Sequence, residues 1–331
     1  MQGAVPVASL VASLTADIRR SRALAHKADI RLVTARLGVG APRGQAVRVG
    51  DDCAAIPDGD GFLLFAIEGF LDSFISAMPW FAGYCGVMVN VSDIAAMGGR
   101  PIAVVDAIWS RDEAQAAPML DGLSVASTRY GVPIVGGHSN LRSEGEQLSV
   151  AVLGRASRLL TSFDAQPGQI LIAAIDLRGA YHDPYPFWDA STRGASGERL
   201  RLDLDILPEL AEAGLCGAAK DISNGGLPGT ALMLAECSGI GISIELDRIP
   251  RPEGADLARW LTAFPSYGFL LSVSPRDAPA VLARFAARDI AAAAIGTCEA
   301  GTRLDLIQHG RRETCWDHSI MPLLGCTGIA A

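Results

Sequence analysis

The stretch Val89-Asn90-Val91-Ser92-Asp93-Ile94-Ala95-Ala96-Met97-Gly98-Gly99-Arg100-Pro101 decides how this chain is interpreted. Its apolar residues recur at helical spacing, and Gly98-Gly99 followed by Pro101 predicts the end of the helix. Asn90 and Asp93 lie three residues apart, so both side chains leave the same helical face. A carboxylate and a carboxamide on such an apolar helix are costly to bury unpaired. The stretch is therefore either a helix with one solvent-exposed side or part of a ligand site.

Composition limits the possible functions. The chain has 331 residues, of which 50% are hydrophobic and 19% are charged, so two domains with substantial cores are expected. The net charge is −8 and there is no basic cluster, which argues against nucleic acid or an anionic membrane as a partner. No apolar run approaches the roughly 18–20 residues of a membrane span. The expected partner is a small molecule.

The seven cysteines are scattered and contain no Cys-x-x-Cys pair. This pattern favours reduced thiols in a cytoplasm over a disulfide framework or a zinc site. No basic region precedes the apolar residues 4–14, so a signal peptide is not expected.

Several polar turns accompany the opening stretch. Asp51-Asp52 follows a short strand-like segment, and such adjacent carboxylates are typical of a solvated turn or of a divalent-cation site. Glu68 comes at the end of a predicted strand over 62–67. Asp221 and Asn224 precede Gly225-Gly226 at the start of a predicted helix, where anions are favoured.

A glycine pair occurs in the segment Gly131–Asn140, which is predicted to be a buried strand that runs into a turn at Gly136-Gly137. The glycine amides there suit phosphate oxygens. His138 follows them, either as a site residue or as a loop residue that caps the turn. With only two lysines in the chain, these acidic and amide turns indicate nucleotide binding through Mg²⁺, because hard cations take oxygen ligands and bridge phosphates.

Two other segments have competing interpretations. Gly38, Gly40 and Gly44 resemble a dinucleotide loop, but the spacing differs and no strand precedes them, so a surface loop is predicted. Residues Tyr181–Arg193 are aromatic and interrupted by prolines, which predicts a loop. Its aromatic side chains either form a specificity wall or cover the core.

The turn-rich segment 163–169 marks the predicted domain boundary. The expected domains are residues 1–160 and residues 168–331. The first is expected to begin with helices in 9–38, one over about 9–27 and a second, short one over 29–38. Each is expected to be of the α/β class, with strands, glycine-rich acidic turns and helices in succession.

The motifs GDDCAAI, NVSDIAAMGGRP, GVPIVGGHSN and KDISNGGLPGTALMLAECSGIGISIELDRIP, which lie between residues 50 and 250, together resemble those of the AIR synthase-related superfamily. The resemblance runs from about residue 47 to 309. It implies a two-domain fold whose N-terminal sheet pairs with a second subunit into a barrel, a homodimer, and a C-terminal α/β sandwich. It also implies ATP and Mg²⁺ bound between the domains, and activation of a substrate oxygen by phosphorylation.

Carried over by position, the resemblance implies three sets of site residues. Those for the metal are Asp51, Asp52, Glu68 and Asp93. Those for the nucleotide are Asn90, Gly136, Gly137 and Asn224, and those for catalysis are His138 and Asp221.

The chain departs from the family pattern at several of these positions. Glu68 stands where the family usually has Asp, and Asn224 replaces the second Asp of the kinase-type motif. His138 stands where some members have an acidic residue and others have His. The expected function is therefore an ATP-dependent phosphotransferase or ligase of unassigned substrate. The alternative is a nucleotide-binding regulatory or structural paralogue without turnover.

Overall fold

The computed structural model describes residues 7–37 and 48–326. Its α-helices, in chain order, are α1 Val7–Arg19, α2 Arg22–Leu37, α3 Asp72–Ala77, α4 Pro79–Ala96, α5 Glu113–Tyr130, α6 Gly197–Leu204, α7 Ile206–Glu212, α8 Gly226–Ser238, α9 Leu257–Leu261 and α10 Ala278–Ala286. Its strands are β1 Ala54–Asp58, β2 Gly61–Phe70, β3 Arg100–Trp109, β4 Ile134–Asn140, β5 Gln147–Ala156, β6 Ile170–Ile175, β7 Ala180–Tyr181, β8 Phe187–Asp189, β9 Ala218–Asp221, β10 Gly241–Glu245, β11 Phe264–Pro265, β12 Gly268–Val273, β13 Ala291–Glu299, β14 Arg303–Gln308 and β15 Arg311–Asp317. No helix of these described residues is long and apolar enough to cross a membrane.

Two compact units divide the chain. The N-terminal unit comprises residues 52–159 and 194–212, and the C-terminal unit comprises the described residues up to Asp51 together with 160–193 and 213–326. The predicted α/β class is confirmed, since each unit combines helices with a mixed sheet.

These units differ from the predicted domains in two places. The helices α1 and α2 group with the C-terminal unit, where the Arg19 guanidinium donates to the carbonyls of Cys315 and Thr314. The helices α6 and α7 group with the N-terminal unit, where Arg100 pairs with Asp205 and Glu212. Both groupings depend on contacts between distant residues, which local sequence patterns do not reveal.

In the N-terminal unit, residues 52–159 supply five strands in the order β1-β2-β5-β3-β4. Neighbouring strands are antiparallel except for β3 and β4, which are parallel and joined through α5. The prediction of a helix over the opening stretch is confirmed: α4 begins with Pro79 in its first turn and ends at Ala96. Almost all of α4 is buried. The polar residues of this helix therefore lie inside the protein.

Two glycines allow α4 to approach α5 closely. A Cβ atom added to Gly83 would lie 2.0 Å from the carbonyl oxygen of Met119, and one added to Gly122 would lie 1.9 Å from that of Trp80. Any side chain at these positions would push the helices apart, because no Cβ tolerates such a distance. The position of α4, and of its polar residues, thus depends on this contact.

The prediction for Gly131–Asn140 is wrong in two respects. Gly136 and Gly137 do not form a turn but lie within β4, and every residue of β4 is exposed rather than buried. The physical reason is that β4 is the edge strand of the sheet and that α4 packs mainly on β5, β2 and β3. An edge strand and an inner strand can have the same apolar composition, so composition does not reveal the position of a strand in the sheet.

The C-terminal unit contains a seven-stranded sheet in the order β15-β14-β10-β13-β6-β12-β9 and a three-stranded sheet in the order β11-β8-β7, both counted over the described residues. The predicted continuous helix over 9–27 is wrong, since α1 ends at Arg19 and α2 begins at Arg22. Ser21 causes the interruption, because its hydroxyl accepts a hydrogen bond from the amide of Leu24 and so caps α2. The glycines predicted to form a surface loop, residues 38–44, lie outside the described residues.

Candidate functional site

Two carboxylates meet in the N-terminal unit. Asp52 lies just before β1 and Asp93 lies in the last turn of α4. One carboxylate oxygen of each lies within 4.8 Å of the other, and Asp93 is only 7% exposed. Like charges at such a separation repel unless a cation or a proton is shared between them. The pair is therefore suited to hold a divalent cation.

Asn90 lies one helical turn before Asp93 and is completely buried. Its side-chain Nδ2 donates to the carbonyl of Gly86 at 2.7 Å and to that of Val150 at 3.0 Å, so it ties α4 to β5. No hydrogen-bond donor among the described residues reaches its Oδ1 atom. A buried amide oxygen without a donor is costly, and a bound ligand or ion would remove this cost.

One row of paired residues crosses the sheet beneath α4. Glu68 on β2 is paired with Val150, which is paired with Asp106 on β3, and Asp106 is paired with Gly137 on β4. Directly paired residues share a face of the sheet, so the side chains of Glu68 and Asp106 point to the same side. Strand β2 continues to Phe70, so Glu68 lies within the strand and not at its end as predicted.

Asp106 is a candidate site residue that the motifs did not identify. Burial raises the pKa of its carboxyl group. A Cβ atom on Gly137 would lie 2.6 Å from Oδ1 of Asp106, so the glycine leaves space for this carboxylate. A single Asp within the strand Arg100–Trp109, which is apolar after Arg100, was the available signal.

His138 lies on the opposite face of the sheet. It is paired with Ala107, the neighbour of Asp106, and its ring contacts that of Trp109 at a centroid distance of 5.4 Å. Because side chains alternate along a strand, His138 points away from the face that carries Glu68 and Asp106. Gly136 is paired with Val105 and lies on the same face as His138. The roles of His138 and Gly136 stay predictions.

Asp51 belongs to the C-terminal unit, where Ser162 holds its carboxylate. The amide of Ser162 donates to one oxygen at 2.8 Å and the hydroxyl donates to the other at 2.6 Å. These bonds leave lone pairs on both oxygens, so Asp51 can still accept a further ligand. Ser162 was not predicted, because the bond joins residues far apart in sequence.

Asp221 and Asn224 also belong to the C-terminal unit. Asp221 is the last residue of β9 and is buried, whereas Asn224 is exposed in the turn that follows. Gly225 and Gly226 begin α8 with φ angles of +112° and +64°, which confirms the predicted glycine pair at a helix start. Such a helix start presents backbone amides that suit an anion.

The segment Tyr181–Arg193 is predicted to be a loop, but in the structure it takes part in the short hairpin β7–β8. The indole of Trp188 packs against Tyr181 and Trp260 and donates to the carbonyl of Asp176 at 2.9 Å. Trp188 is part of the hydrophobic core, so at this residue the segment covers the core.

The atoms that this candidate site of the N-terminal unit offers to a metal ion are oxygen atoms. The Asp52 and Asp93 carboxylates and the Oδ1 atom of Asn90 are hard ligands of the kind that Mg²⁺ takes. The residues therefore fit Mg²⁺ better than a metal that is bound through sulfur.

Comparisons with known proteins agree with the motifs. The family model described as AIR synthase related protein, N-terminal domain, matches residues 50–156, and the model for the C-terminal domain matches residues 186–309. An uncharacterized protein of Synechocystis sp. is 48% identical over 324 residues, which cover 96% of this chain and 99% of that protein. A thiamine-monophosphate kinase of Methanopyrus kandleri is 31% identical over 64% of this chain and 70% of its own length.

A solved structure of T. maritima PurL complexed with ADP has a TM-score of 0.71 to this chain at 18% identity. The match covers 87% of this chain and 48% of PurL, so the chain spans about half the length of that protein. At this identity the likeness shows the fold alone.

Proposed function

Because the chain belongs to the AIR synthase related family, we propose that it is an enzyme that binds ATP with Mg²⁺ and phosphorylates an oxygen atom of a small-molecule substrate. The observation that carries this proposal is the proximity of Asp52 and Asp93, whose carboxylate oxygens lie within 4.8 Å of each other. A relative that is a thiamine-monophosphate kinase supports the same chemistry. Whether the product is a phosphoester or a ligated compound depends on the substrate.

In this proposal Asp52 and Asp93 hold Mg²⁺, and Asn90 presents Oδ1 from the preceding turn of the same helix. Asn90 also keeps α4 fixed on β5, so the carboxylate of Asp93 is positioned before the ion binds. When bound, Mg²⁺ would neutralise the charge that develops on the phosphate oxygens. Glu68 is proposed as a further acidic group around the phosphates. The roles of Asp51, Asp221 and Asn224 in binding the nucleotide stay predictions.

A second copy of the chain is the proposed protein partner. The face of the N-terminal sheet opposite α4 carries exposed apolar side chains, namely Phe65, Ile67, Val105, Val135 and Leu153. Register supports this grouping, since Phe65 is paired with Leu153 and Ile67 is paired with Ala151. An apolar patch of this kind is typical of a protein interface, and packing against a second copy would complete the barrel that the family resemblance implies.

The Asp93→Asn variant tests the proposed metal site. It keeps the shape of the side chain and removes its charge, so the affinity for Mg²⁺-ATP should fall by about tenfold or more, while stability should change little. Calorimetric titration with Mg²⁺-ATP and urea unfolding of the same variant measure both quantities. Asp121→Asn, an exposed carboxylate on α5, is the matched control and should leave the affinity unchanged.

A structural role for Asp93 predicts the reverse pattern. The variant would then lose roughly 1–3 kcal/mol of stability because a buried charge-assisted hydrogen bond is weakened, and the affinity would be retained.

Mg²⁺-ATP should also raise the melting temperature of the wild type by binding the folded state, and EDTA should remove most of the increase. An increase that persists in EDTA contradicts binding through the metal. ATP that binds but yields no ADP in the presence of a metabolite extract would support the paralogue without turnover.

A further inference from the structure

Two cysteines that are distant in sequence meet in the C-terminal unit. Cys237 lies in the last turn of α8, and Cys326 lies in the turn that follows β15. The Sγ atom of Cys237 is 3.7 Å from the carbonyl oxygen of Gly50, and that of Cys326 is 3.9 Å from the carbonyl oxygen of Val49. The two sulfur atoms therefore lie against adjacent residues of the chain, Gly50 and Val49.

The space for the two sulfur atoms depends on Gly50. A Cβ atom added there would lie 2.5 Å from Sγ of Cys326 and 3.9 Å from Sγ of Cys237. A side chain at this position would displace the Cys326 thiol, because no Cβ atom approaches a neighbour to 2.5 Å without movement.

Glu236 fixes the backbone that carries Cys326. This glutamate is completely buried, and its carboxylate accepts hydrogen bonds from the amides of Leu323, Leu324, Gly325 and Cys326 at 2.5–3.2 Å. Bonds from amides to a carboxylate are among the stronger hydrogen bonds in proteins. Because Glu236 directly precedes Cys237, one turn of α8 sets the positions of both sulfur atoms.

We propose that Cys237 and Cys326 are a thiol-modification site that closes to a reversible disulfide when a low-molecular-weight disulfide acts as the oxidant. Both sulfur atoms lie beside one point, the Cβ position of Gly50, at 3.9 Å for Cys237 and 2.5 Å for Cys326. This proximity and the fixed backbone of both residues provide the geometry for the bond, which needs two cysteines at short range. The disulfide links α8 covalently to the turn that contains Cys326.

Cys326 is the sulfur that reacts first. It is half-buried, whereas Cys237 is only 5% exposed, so an oxidant reaches Cys326 more readily. The hydrogen bond from Cys237 lowers the pKa of the Cys326 thiol and outweighs the effect of burial, and Lys220 acts in the same direction. The thiolate is the nucleophilic form of cysteine.

The exchange proceeds in two balanced steps. The Cys326 thiolate attacks one sulfur of the small disulfide, forms a mixed disulfide and releases one small thiolate. Cys237 then loses its proton and attacks the Cys326 sulfur, and the second small thiolate leaves. Two protein thiols are oxidised, one small disulfide is reduced to two thiols, and these take up the two protons.

The test is to incubate the reduced, full-length protein with oxidised glutathione and to count thiols after denaturation. We expect two of the seven thiols to be lost, with a mass decrease of about 2 Da, and to be restored by dithiothreitol. Peptide mapping should join the peptides that contain Cys237 and Cys326. Retention of all seven thiols, or a disulfide between other cysteines, would overturn the proposal.

Single variants separate the two roles. Cys237→Ala should accumulate a glutathione adduct on Cys326, because the second step is lost, while Cys326→Ser should form neither adduct nor disulfide. Cys298→Ser is the matched control: Cys298 is buried in the same unit, and its sulfur lies 3.1 Å from the Ser272 hydroxyl, a polar partner that a serine can keep. This control should still lose two thiols. An adduct on Cys326 that persists in the wild type would contradict the second step.

Discussion

At the scale of single residues, Asp189 shows how a buried charge is stabilised. Its carboxylate is completely buried, and it accepts hydrogen bonds from the amide and hydroxyl of Ser191 at 2.8 and 2.7 Å and from Thr192. The Nε2 atom of His182 lies 3.0 Å away. Burial alone would raise the pKa of Asp189, but the hydrogen bonds from Thr192, Ser191 and His182 hold it below its usual value.

We therefore predict that Asp189→Asn destabilises the C-terminal unit by about 1–3 kcal/mol at neutral pH. A lowered pKa in the folded state means that the carboxylate stabilises the protein above about pH 4, and that this contribution is lost as the pH falls through the folded pKa. The urea midpoint of the wild type should consequently fall more steeply below pH 4 than that of the variant. Asp29→Asn, an exposed carboxylate on α2, is the control and should follow the wild type. Equal acid sensitivity of wild type and Asp189→Asn would contradict the prediction.

The sequence allowed prediction of site residues only where their neighbours are local. Asn90 and Asp93 could be paired because helical spacing places them on one face. Asp106 could not be grouped with Glu68, because their common face depends on the register of three strands. Ser162 and Glu236 were missed because each bonds to residues roughly ninety or more positions away. Their residue types gave no sign of these partners.

At the scale of elements, the start of α8 combines a glycine conformation with a close contact. Gly226 has a φ of +64°, and a Cβ atom there would lie 2.0 Å from the carbonyl oxygen of Leu261. Gly254 has a similar φ of +73°, but nothing lies within 4 Å of its Cβ position. The two glycines thus differ in surroundings and not in backbone conformation.

We expect Gly226→Ala to lower the urea midpoint far more than Gly254→Ala does. The Gly254 variant carries only the cost of a left-handed residue, roughly 1–2 kcal/mol. The Gly226 variant must in addition move α8 or the Leu261 segment. Equal urea midpoints for the two variants would contradict this expectation. They would show that α8 or the Leu261 segment moves without loss of stability and that only the backbone conformation matters.

Helices with a regular spacing of apolar residues could be predicted from the sequence. Features that depend on neighbouring elements could not. The helical spacing of α4 and the Gly98-Gly99 pair after it predicted the existence and the end of this helix. The exposure of β4 could not be predicted, because it follows from the strand order of the sheet. The break at Ser21 was missed because the apolar spacing on both sides suggests one continuous helix.

At the scale of the whole molecule, the exposed apolar face of the N-terminal sheet predicts self-association. Ile67, on this face, is 65% exposed. Light scattering at micromolar concentration should give about twice the monomer mass of 34.6 kDa. Ile67→Asp should shift the mass toward the monomer, because a charge would be buried at the interface. Leu202→Asp, which changes an exposed apolar residue on α6, should leave the mass unchanged. A monomeric wild type would contradict the prediction.

The packing of α1 against the last strand, β15, has a consequence for the order in which a growing chain can fold. Arg19 donates hydrogen bonds to the carbonyls of Thr314 and Cys315, so the surface that receives α1 is synthesised 295 residues after Arg19. Residues 52–159, by contrast, supply a complete five-stranded sheet long before β15 has been synthesised. On the ribosome, the N-terminal sheet can therefore form early, while α1 waits as a nascent segment until β15 emerges.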